Sequence, residues 1–233
     1  MIRFNKVSLK YDKDTYAIKD LSLLIEEGEF VFIVGKTGAG KSTLFKLLTR
    51  ELKPTTGSIK VFRDNIEYIN DRMIPYYRRQ LGVVFQDFKL LEDRDVFENV
   101  AFAQEVIGAS SFKIRKRVIK ILNLVGLRNK ANKMPYELSG GEKQKVAIAR
   151  AIINKPKILL ADEPTGNLDE LSTDEIMDLL VTINQNGTTV VVITHDMHLV
   201  ERMNKRVIRL DEGNLVYDDY GLDEGIKSYI KNK

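Results

Sequence analysis

The chain is 233 residues long and carries 37 Lys and Arg against 33 Asp and Glu, a net charge of +4. Hydrophobic residues make up 43% of it and charged residues 30%, which is typical of a globular protein and excludes a disordered or fibrous chain. The absence of cysteine excludes disulfides, thiolate catalysis and cysteine-ligated zinc. We therefore expect one domain, residues 1–233, with a substantial core.

No segment of the sequence predicts a membrane span or a secretion signal. The longest apolar runs, Phe30–Val34 and Val190–Ile193, have the length of strands, whereas a spanning helix needs roughly 20 apolar residues. The start of the chain alternates apolar and polar residues, and there is no polybasic run and no lipidation motif. We expect a cytoplasmic protein that binds no nucleic acid and reaches the inner face of the cell membrane only indirectly, through a partner.

The first third of the chain predicts β structure followed by a strand, loop and helix. Apolar alternation over residues 2–11, with one register slip, and over residues 17–27 indicates two antiparallel strands. A buried strand at Phe30–Val34 precedes a glycine-rich segment, and a helical pattern then runs to the turn before Pro54. This order indicates a phosphate-binding type of connection.

The rest of the chain predicts a mostly parallel sheet interrupted by a helical lobe. Continuous apolar strands are expected at 82–85, 158–161 and 189–193, each followed by a helical pattern, which favours a sheet covered on both faces. Residues 96–154 show helical periodicity throughout. We assign 1–85 and 157–233 to a core lobe and 86–156 to an inserted helical lobe. Residues 223–233 are expected to form one charged helix or a frayed end.

Residues 35–42 read G-K-T-G-A-G-K-S, the pattern of a phosphate-binding loop between a strand and a helix. The glycines allow backbone angles that turn consecutive N–H groups inward, and the helix start adds partial positive charge. Lys41 is expected to reach the β and γ phosphates, and the Ser42 hydroxyl to bind Mg²⁺. The predicted nucleotide-binding residues here are Gly35, Lys36, Thr37, Gly38, Ala39, Gly40, Lys41, Ser42 and Thr43; an ordinary turn is the alternative.

The run I-L-L-A-D-E at residues 158–163 predicts an apolar strand that ends in two carboxylates. Because ligands of open α/β folds bind at the carboxyl edge of the sheet, Asp162 is expected to hold Mg²⁺, directly or through water. Glu163 projects differently and is expected to act as general base on the water that attacks the γ phosphate. Two solvated acids at a strand end are the alternative.

Residues 138–142 read L-S-G-G-E and precede an apolar-periodic helix. Ser139 and Glu142 fit a capping box, which explains both residues structurally. The two glycines nevertheless weaken the first helical turn and bare its N–H groups, which predicts a second anion site distinct from the one at Lys41. Two phosphate sites in one chain require a common explanation.

With these motifs in this order, the sequence resembles the nucleotide-binding subunits of ATP-binding cassette (ABC) systems over nearly its whole length. The resemblance also rests on A-D-E-P-T at 161–165, N-L-D at 167–169, Gln86 before the helical lobe and His195 after the last buried strand. It implies the α/β class, with a P-loop NTPase core of the ABC ATPase type, an antiparallel β subdomain and an inserted helical lobe. It further implies ATP and Mg²⁺ as cofactors, ATP hydrolysis, and a homodimer formed on ATP binding.

The family resemblance assigns roles across that dimer. Ser139, Gly140 and Gly141 would contact the γ phosphate bound to the partner chain. Gln86 would serve Mg²⁺ and the attacking water, and His195 the γ phosphate. Read alone, Gln86 is equally a surface amide and His195 a helix cap within T-H-D-M.

Two further residues take roles from the resemblance. Asp169 would lie at the dimer seam, and Tyr11 would stack on adenine, with Tyr16 competing for that role. Read alone, Tyr11 is a strand aromatic. The sequence departs from the family pattern at Lys143 and Lys145, where relatives often carry glutamine and arginine, and neither position has a phosphate role.

Within the family, residues 74–101, and Asp93-Arg94 above all, are most similar to the cell-division ATPases. That similarity implies a membrane-associated subunit acting with an FtsX-like transmembrane protein in cell division and control of cell-wall hydrolysis. The partner is expected to dock on apolar residues around Gln86, which are otherwise core: Phe85, Phe88, Leu90, Leu91 and Phe97. The alternative is the ATPase of a lipoprotein- or peptide-export ABC transporter.

Overall fold

The computed structural model describes residues 1–11 and 15–220, which form two compact units. Of the described residues, unit 1 comprises 1–11, 15–78 and 189–220, and unit 2 comprises 79–188. Unit 2 holds the whole stretch predicted as the helical lobe, together with two strands and a helix that the sequence assigned to the core lobe. The predicted lobe boundaries stay a prediction, and the helix expected at 223–233 lies outside the described residues.

The elements follow one another in a fixed order along the chain. The strands are β1 (Ile2–Lys10), β2 (Tyr16–Ile25), β3 (Phe30–Val34), β4 (Thr56–Val61), β5 (Asp64–Asn65), β6 (Leu81–Val84), β7 (Ile158–Asp162), β8 (Thr189–Ile193), β9 (Arg206–Asp211) and β10 (Asn214–Tyr220). The α-helices are α1 (Lys41–Leu48), α2 (Ile74–Arg78), α3 (Val96–Glu105), α4 (Ser111–Leu124), α5 (Gly140–Ile152), α6 (Glu170–Gln185) and α7 (Met197–Met203).

Unit 1 contains an antiparallel sheet of order β2-β1-β4-β5. Its register with β2 shifts between Phe4 and Val7, where Lys6 takes a φ of 48°. The irregularity lets Phe4 and Val7 both face the interior, although strict alternation would put them on opposite faces. The predicted register slip is therefore present, and two further shifts follow it.

The second sheet of unit 1 places β3 between two parallel neighbours, β8 and β9, with β10 antiparallel to β9. All five residues of β3 and all five of β8 are buried. A parallel strand with side chains buried on both faces forms a nearly continuous apolar run, broken in β8 only by the buried Thr189, which is why both runs were visible in the sequence. Since β3 and β8 are parallel, their carboxyl ends meet at one edge.

Unit 2 combines the parallel pair β6–β7 with helices α3, α4, α5 and α6. One side of α4 is buried through Ile114, Val118 and Leu122, which recur at the i, i+4 spacing of a helix face. The glycine in β6 is required by packing, because a Cβ on Gly82 would lie 2.9 Å from the Ala151 carbonyl oxygen. The predicted helical segment and the parallel strands are thus observed.

Four strands were not singled out in the sequence. They are β4, β5, β9 and β10, and half or more of the residues in β5 and β10 are exposed. Their apolar runs are too short to stand out beside the buried central strands. In the described part of the chain, no helix combines the length and the apolar character needed to cross a membrane.

Candidate functional site

The phosphate-binding loop of unit 1 adopts a backbone that only glycine accommodates. Gly35, Gly38 and Gly40 have φ values of 152°, 84° and 102°. A Cβ at Gly35 would lie 2.4 Å from the Leu210 carbonyl oxygen, and one at Gly40 would lie 2.6 Å from the Ala17 carbonyl oxygen. A Cβ at Gly38 would meet nothing within 4 Å. Two of the glycines are thus fixed by packing, and the third by its backbone angle alone.

The start of α1 is suited to an anion. Gly40 is its N-cap residue, so it offers no side-chain acceptor to the first-turn N–H groups, and the first turn holds no acidic residue. Lys41 Nζ donates to the carbonyl oxygens of Gly35 at 2.6 Å and Lys36 at 3.1 Å, which folds the ammonium group across the loop. Helix N–H groups and a nearby ammonium together make the cradle that a phosphate requires.

His195 lies at the same sheet edge as the phosphate loop. The pairing of Ile33 with Ile193 brings β3 and β8 into register, and both Gly35 and His195 follow two residues later. His195 is exposed. The capping role within T-H-D-M belongs to Asp196, whose carboxylate accepts the Leu199 N–H at 3.0 Å. The structure therefore removes the helix cap as an alternative reading of this histidine.

The two tyrosines considered for adenine differ in their surroundings. The Tyr11 and Thr43 hydroxyls lie 3.0 Å apart, which ties Tyr11 to the helix that begins the phosphate site, and its side chain remains 57% exposed. Tyr16 has the Lys10 ammonium 4.5 Å from its ring centroid. One face of the Tyr16 ring is thus occupied, so the geometry favours Tyr11.

In unit 2, the two predicted acids lie at the carboxyl end of β7, as expected. Asp162 is its last residue, and Glu163 takes a φ of 48°, a strained angle for a residue with a side chain. The Glu163 carbonyl accepts the Gly166 N–H at 3.2 Å and closes a turn. A Cβ on Gly166 would lie 3.2 Å from Gln86 Nε2 and 3.7 Å from Glu163 Cβ. Gln86 and Glu163 therefore flank the same turn.

The L-S-G-G-E segment forms the predicted capping box at the start of α5. Ser139 Oγ accepts the Glu142 N–H at 3.3 Å, and the Glu142 carboxylate accepts the Ser139 N–H at 3.1 Å. The other Glu142 oxygen accepts from the Lys130 ammonium. That ammonium first, and the Ser139 N–H after it, lower the pKa of Glu142. The carboxylate therefore stays ionised in the folded chain.

Asp169 and the signature segment L-S-G-G-E meet through a third residue, Ser172. Asp169 is the N-cap of α6 and accepts both the Ser172 N–H and its hydroxyl at 2.9 Å, which lowers the pKa of Asp169. Gly141 packs on that serine, since a Cβ there would lie 2.7 Å from Ser172 Oγ. Gly141 is thus a close-approach glycine, whereas Gly140 is exposed.

Comparisons with known proteins agree with these motifs. A family model described as ABC transporter matches residues 18–166. The chain is 47% identical over 228 residues to the cell division ATP-binding protein FtsE of Streptococcus pneumoniae serotype 2, covering 96% of this chain and 99% of that protein. FtsE of Bacillus subtilis is 49% identical over 219 residues, covering 94% and 96%. A solved dimeric ATP-binding cassette in a post-hydrolysis state, bound to ADP and Pi, has a TM-score of 0.84 at 36% identity, covering 96% of this chain and 100% of its own.

The chain belongs to the ABC transporter family. This confirms the predicted family, its likeness to FtsE and the P-loop ABC ATPase fold class. The roles of individual site residues stay predictions. Unit 1 of this ABC subunit contains the phosphate loop, Tyr11 and His195. Unit 2 contains Gln86, the two acids, the L-S-G-G-E segment and Asp169.

The sequence did not single out Arg150, which organises the loop after Gln86. Phe88 and Lys89 have φ values of 53° and 48°, so two consecutive residues with side chains take left-handed conformations. Arg150, on α5, donates to their carbonyl oxygens at 2.9 Å and 2.7 Å. Arg150 is half-buried, and the loss of water around its guanidinium lowers its pKa. The sequence did carry one signal for this role, because Arg150 is the only charged residue in the stretch A-I-A-R-A-I at residues 147–152.

Asn99 holds the next part of the same loop. It is fully buried, accepts the Leu91 N–H at 2.8 Å and donates to the carbonyl oxygens of Leu91, Arg94 and Asp95. The apolar side chains predicted to receive a partner are all half-buried: Phe85, Phe88, Leu90, Leu91 and Phe97. The loop that carries most of them is therefore fixed by two polar side chains from outside it.

We predict that Arg150→Ala frees this loop without unfolding the subunit. Two hydrogen bonds to strained carbonyls disappear, each worth about 1–3 kcal/mol, so amides in residues 86–91 should exchange with solvent at least about tenfold faster. Hydrogen exchange with mass spectrometry measures this, with Arg128→Ala, an exposed arginine in the same unit, as control. Equal exchange in both variants would show that Arg150 does not hold the loop.

We predict that Asp169 contributes to stability only above acidic pH. Its pKa is lower in the folded chain than in the unfolded one, so the contribution is present above the unfolded value, about 4. It is lost as the pH falls through the lower, folded value. Urea midpoints at pH 5, 4 and 3 should fall less steeply for Asp169→Asn than for the parent chain, because an asparagine amide takes up no proton over this range and can still accept the Ser172 hydrogen bonds. Parallel slopes would contradict this.

Proposed function

We propose that this chain is the ATP-binding and ATP-hydrolysing subunit of a membrane-associated ABC complex that acts with an FtsX-like transmembrane protein in cell division. The FtsE relatives and the cassette bound to ADP and Pi confirm the predicted ATPase and the cell-division role. Control of cell-wall hydrolysis and attachment to the inner face of the membrane belong to the proposal. The observation that carries it is the glycine-built phosphate loop with Lys41 folded across it.

The nucleotide is bound first through its phosphates. When ATP enters, the phosphate oxygens offer Lys41 Nζ a charged acceptor in place of the Gly35 and Lys36 carbonyls, and the N–H groups of the loop and of the first turn of α1 point to the same anion. Tyr11 stacks on the adenine ring, a position supported by its contact with Thr43 and by its exposure. These groups bind ATP before any bond is broken.

Hydrolysis depends on the residues at the strand ends. Glu163 accepts a proton from the attacking water, Gln86 orients that water, and His195 donates to the γ phosphate. Among the described residues, no three His, Asp or Glu side chains cluster around a metal site. Mg²⁺ usually binds through one or two carboxylates plus nucleotide phosphates, so Asp162, Ser42 and Gln86 fit it. When bound, Mg²⁺ neutralises charge on the β and γ phosphates.

A second copy of the chain completes the site. Ser139 and Gly140 are exposed at the start of α5, so this helix terminus is accessible to the γ phosphate bound to another chain. Dimeric cassettes among the solved relatives support a homodimer. ATP then lies between the phosphate loop of one copy and the L-S-G-G-E segment of the other, with Asp169 at the seam.

We predict that Glu163→Gln keeps ATP binding and slows hydrolysis at least a hundredfold, because it removes the base and leaves the phosphate loop intact. Nucleotide affinity and single-turnover hydrolysis are measured separately. Glu170→Gln, the same change at an exposed position of α6, should behave like the parent chain, whereas Lys41→Ala should lose affinity instead. Wild-type turnover in Glu163→Gln would remove Glu163 from the mechanism, and unchanged affinity in Lys41→Ala would remove Lys41 from the phosphate site.

We predict that the chain is largely monomeric without nucleotide and that the hydrolysis-slow Glu163→Gln variant dimerises with ATP. The signature segment contacts a γ phosphate only when a second copy of the chain holds ATP. The dimer is therefore stabilised only while ATP is bound and not yet cleaved. Light scattering with and without ATP measures the change. Adding Gly140→Arg, at the exposed glycine of the segment, should abolish the dimer, while Lys143→Gln, a nearby surface change, should not. A Glu163→Gln chain that stays monomeric in saturating ATP and with its membrane partner contradicts the sandwich.

We predict that the FtsX-like partner contacts the loop that Arg150 holds. Phe88 and Leu91 are half-buried apolar residues of this loop and can accept a short apolar helix of the partner. Phe88→Glu with Leu91→Glu should abolish co-purification of the transmembrane protein from detergent-solubilised membranes while ATP affinity is kept. Tyr68→Glu, an exposed aromatic in unit 1, serves as control. Retained co-purification in the double variant would place the contact elsewhere.

A further inference from the structure

The positive charge of the chain is concentrated around α4. Residues 106–136 contain eight Lys and Arg and no Asp or Glu, although the whole chain has a net charge of only +4. The rest of the chain is therefore net negative. Five of the eight lie within α4, where Arg115, Lys116 and Arg117 are consecutive and Lys113 and Lys120 flank them.

Helix geometry aligns three lysines on the outer side of α4. Ile114, Val118 and Leu122 form its buried side. Lys113, Lys116 and Lys120 follow the i, i+3, i+7 spacing on the opposite side, and all three are exposed. We call these three residues the lysine stripe. It spans about 10 Å at 1.5 Å per residue.

The lysine stripe does not stabilise its own helix. Like charges three and four residues apart repel each other, and Lys113 lies in the first turn, where the helix dipole disfavours a cation. The first turn contains no acidic residue, and Ser110 makes no side-chain capping bond. Within residues 1–11 and 15–220, none of the three lysines has an ion pair. The three lysines thus form a positive surface that destabilises the helix carrying it, which indicates that they bind an anionic partner.

Exposed apolar side chains lie beside the stripe. Phe112, one residue before Lys113, is 81% exposed, and Leu124, at the other end of the helix, is 44% exposed. An exposed phenylalanine next to lysines is a combination found where proteins touch membranes, because the ring enters the headgroup region while the ammonium groups bind lipid phosphates. A double-stranded nucleic acid would contact the lysines through its phosphates and leave the phenylalanine without a role.

We propose that α4 is a lipid-contact surface that binds anionic phospholipid headgroups through the lysine stripe and inserts Phe112 between them. This goes beyond the proposed function, in which the membrane is reached only through a protein partner. The contact is weak, because three lysines and one ring are few, and it orients the subunit at the bilayer. It requires neither ATP nor the transmembrane protein.

The test uses the purified full chain with vesicles containing phosphatidylglycerol and with vesicles of phosphatidylcholine alone. Binding should need the anionic lipid and fall with salt. A triple variant, Lys113→Gln, Lys116→Gln and Lys120→Gln, should lose on the order of 100-fold in partitioning, since each basic residue at an anionic surface contributes roughly fivefold. Phe112→Ser, which changes no charge, should lose roughly tenfold. The control variant carries Lys19→Gln, Lys53→Gln and Lys60→Gln, which remove the same charge from exposed lysines of unit 1.

Any of the following outcomes would overturn the proposal. Equal losses in the triple variant and the control would mean that net charge alone drives binding. Unchanged vesicle binding in Phe112→Ser would exclude insertion of the ring. If the chain binds a short DNA duplex more tightly than vesicles, and the triple variant loses that binding, the stripe is a nucleic acid site. ATP affinity should be unchanged in all variants, which separates this result from a failure of the ATPase function. If the triple variant does not fold, the single variants Lys116→Gln and Phe112→Ser test the proposal, and each should weaken vesicle binding.

Discussion

The close approach of the phosphate loop to its neighbouring backbone is the constraint on which the ATP site depends. Gly35 lies against the Leu210 carbonyl and Gly40 against that of Ala17, so the loop rests on β9 on one side and β2 on the other. With any side chain at either position the loop would have to move. Such a shift would displace Lys41 from the carbonyls it binds and turn the first N–H groups of α1 away from the phosphate.

In unit 2, helix α5 connects two functional segments. Its N-terminus carries the L-S-G-G-E segment, and Arg150, about 15 Å along the same axis, holds the loop after Gln86. Near its start, Gly141 packs on Ser172, which also binds Asp169. Because a 13-residue helix moves as one body, a displacement at the nucleotide end reaches the loop proposed to contact the partner.

The sequence predicted best what depends on local pattern. Glycine spacing, the Asp162–Glu163 pair and the Ser139–Glu142 capping box are each contained in a few consecutive residues, and the structure shows each in its expected context. The features that the sequence did not predict depend on residues far apart in the chain or on the formation of a helix. Arg150 acts on carbonyls some sixty positions earlier, and the lysine stripe becomes a surface only when the helix forms. Strand β10 was missed because its residues are mostly exposed, so it lacks a buried pattern.

The start of α5 must satisfy two opposing requirements. A capping box stabilises a helix that begins with two glycines, but it places the Glu142 carboxylate at the terminus proposed to bind a γ phosphate, where like charges repel. The Lys130 ammonium bound to Glu142 resolves this conflict. It neutralises the carboxylate without disturbing its hydrogen bond to the Ser139 N–H, so the terminus keeps its cap and still attracts an anion. Lys130, outside every motif, is therefore what allows one segment to be both a helix cap and a phosphate site.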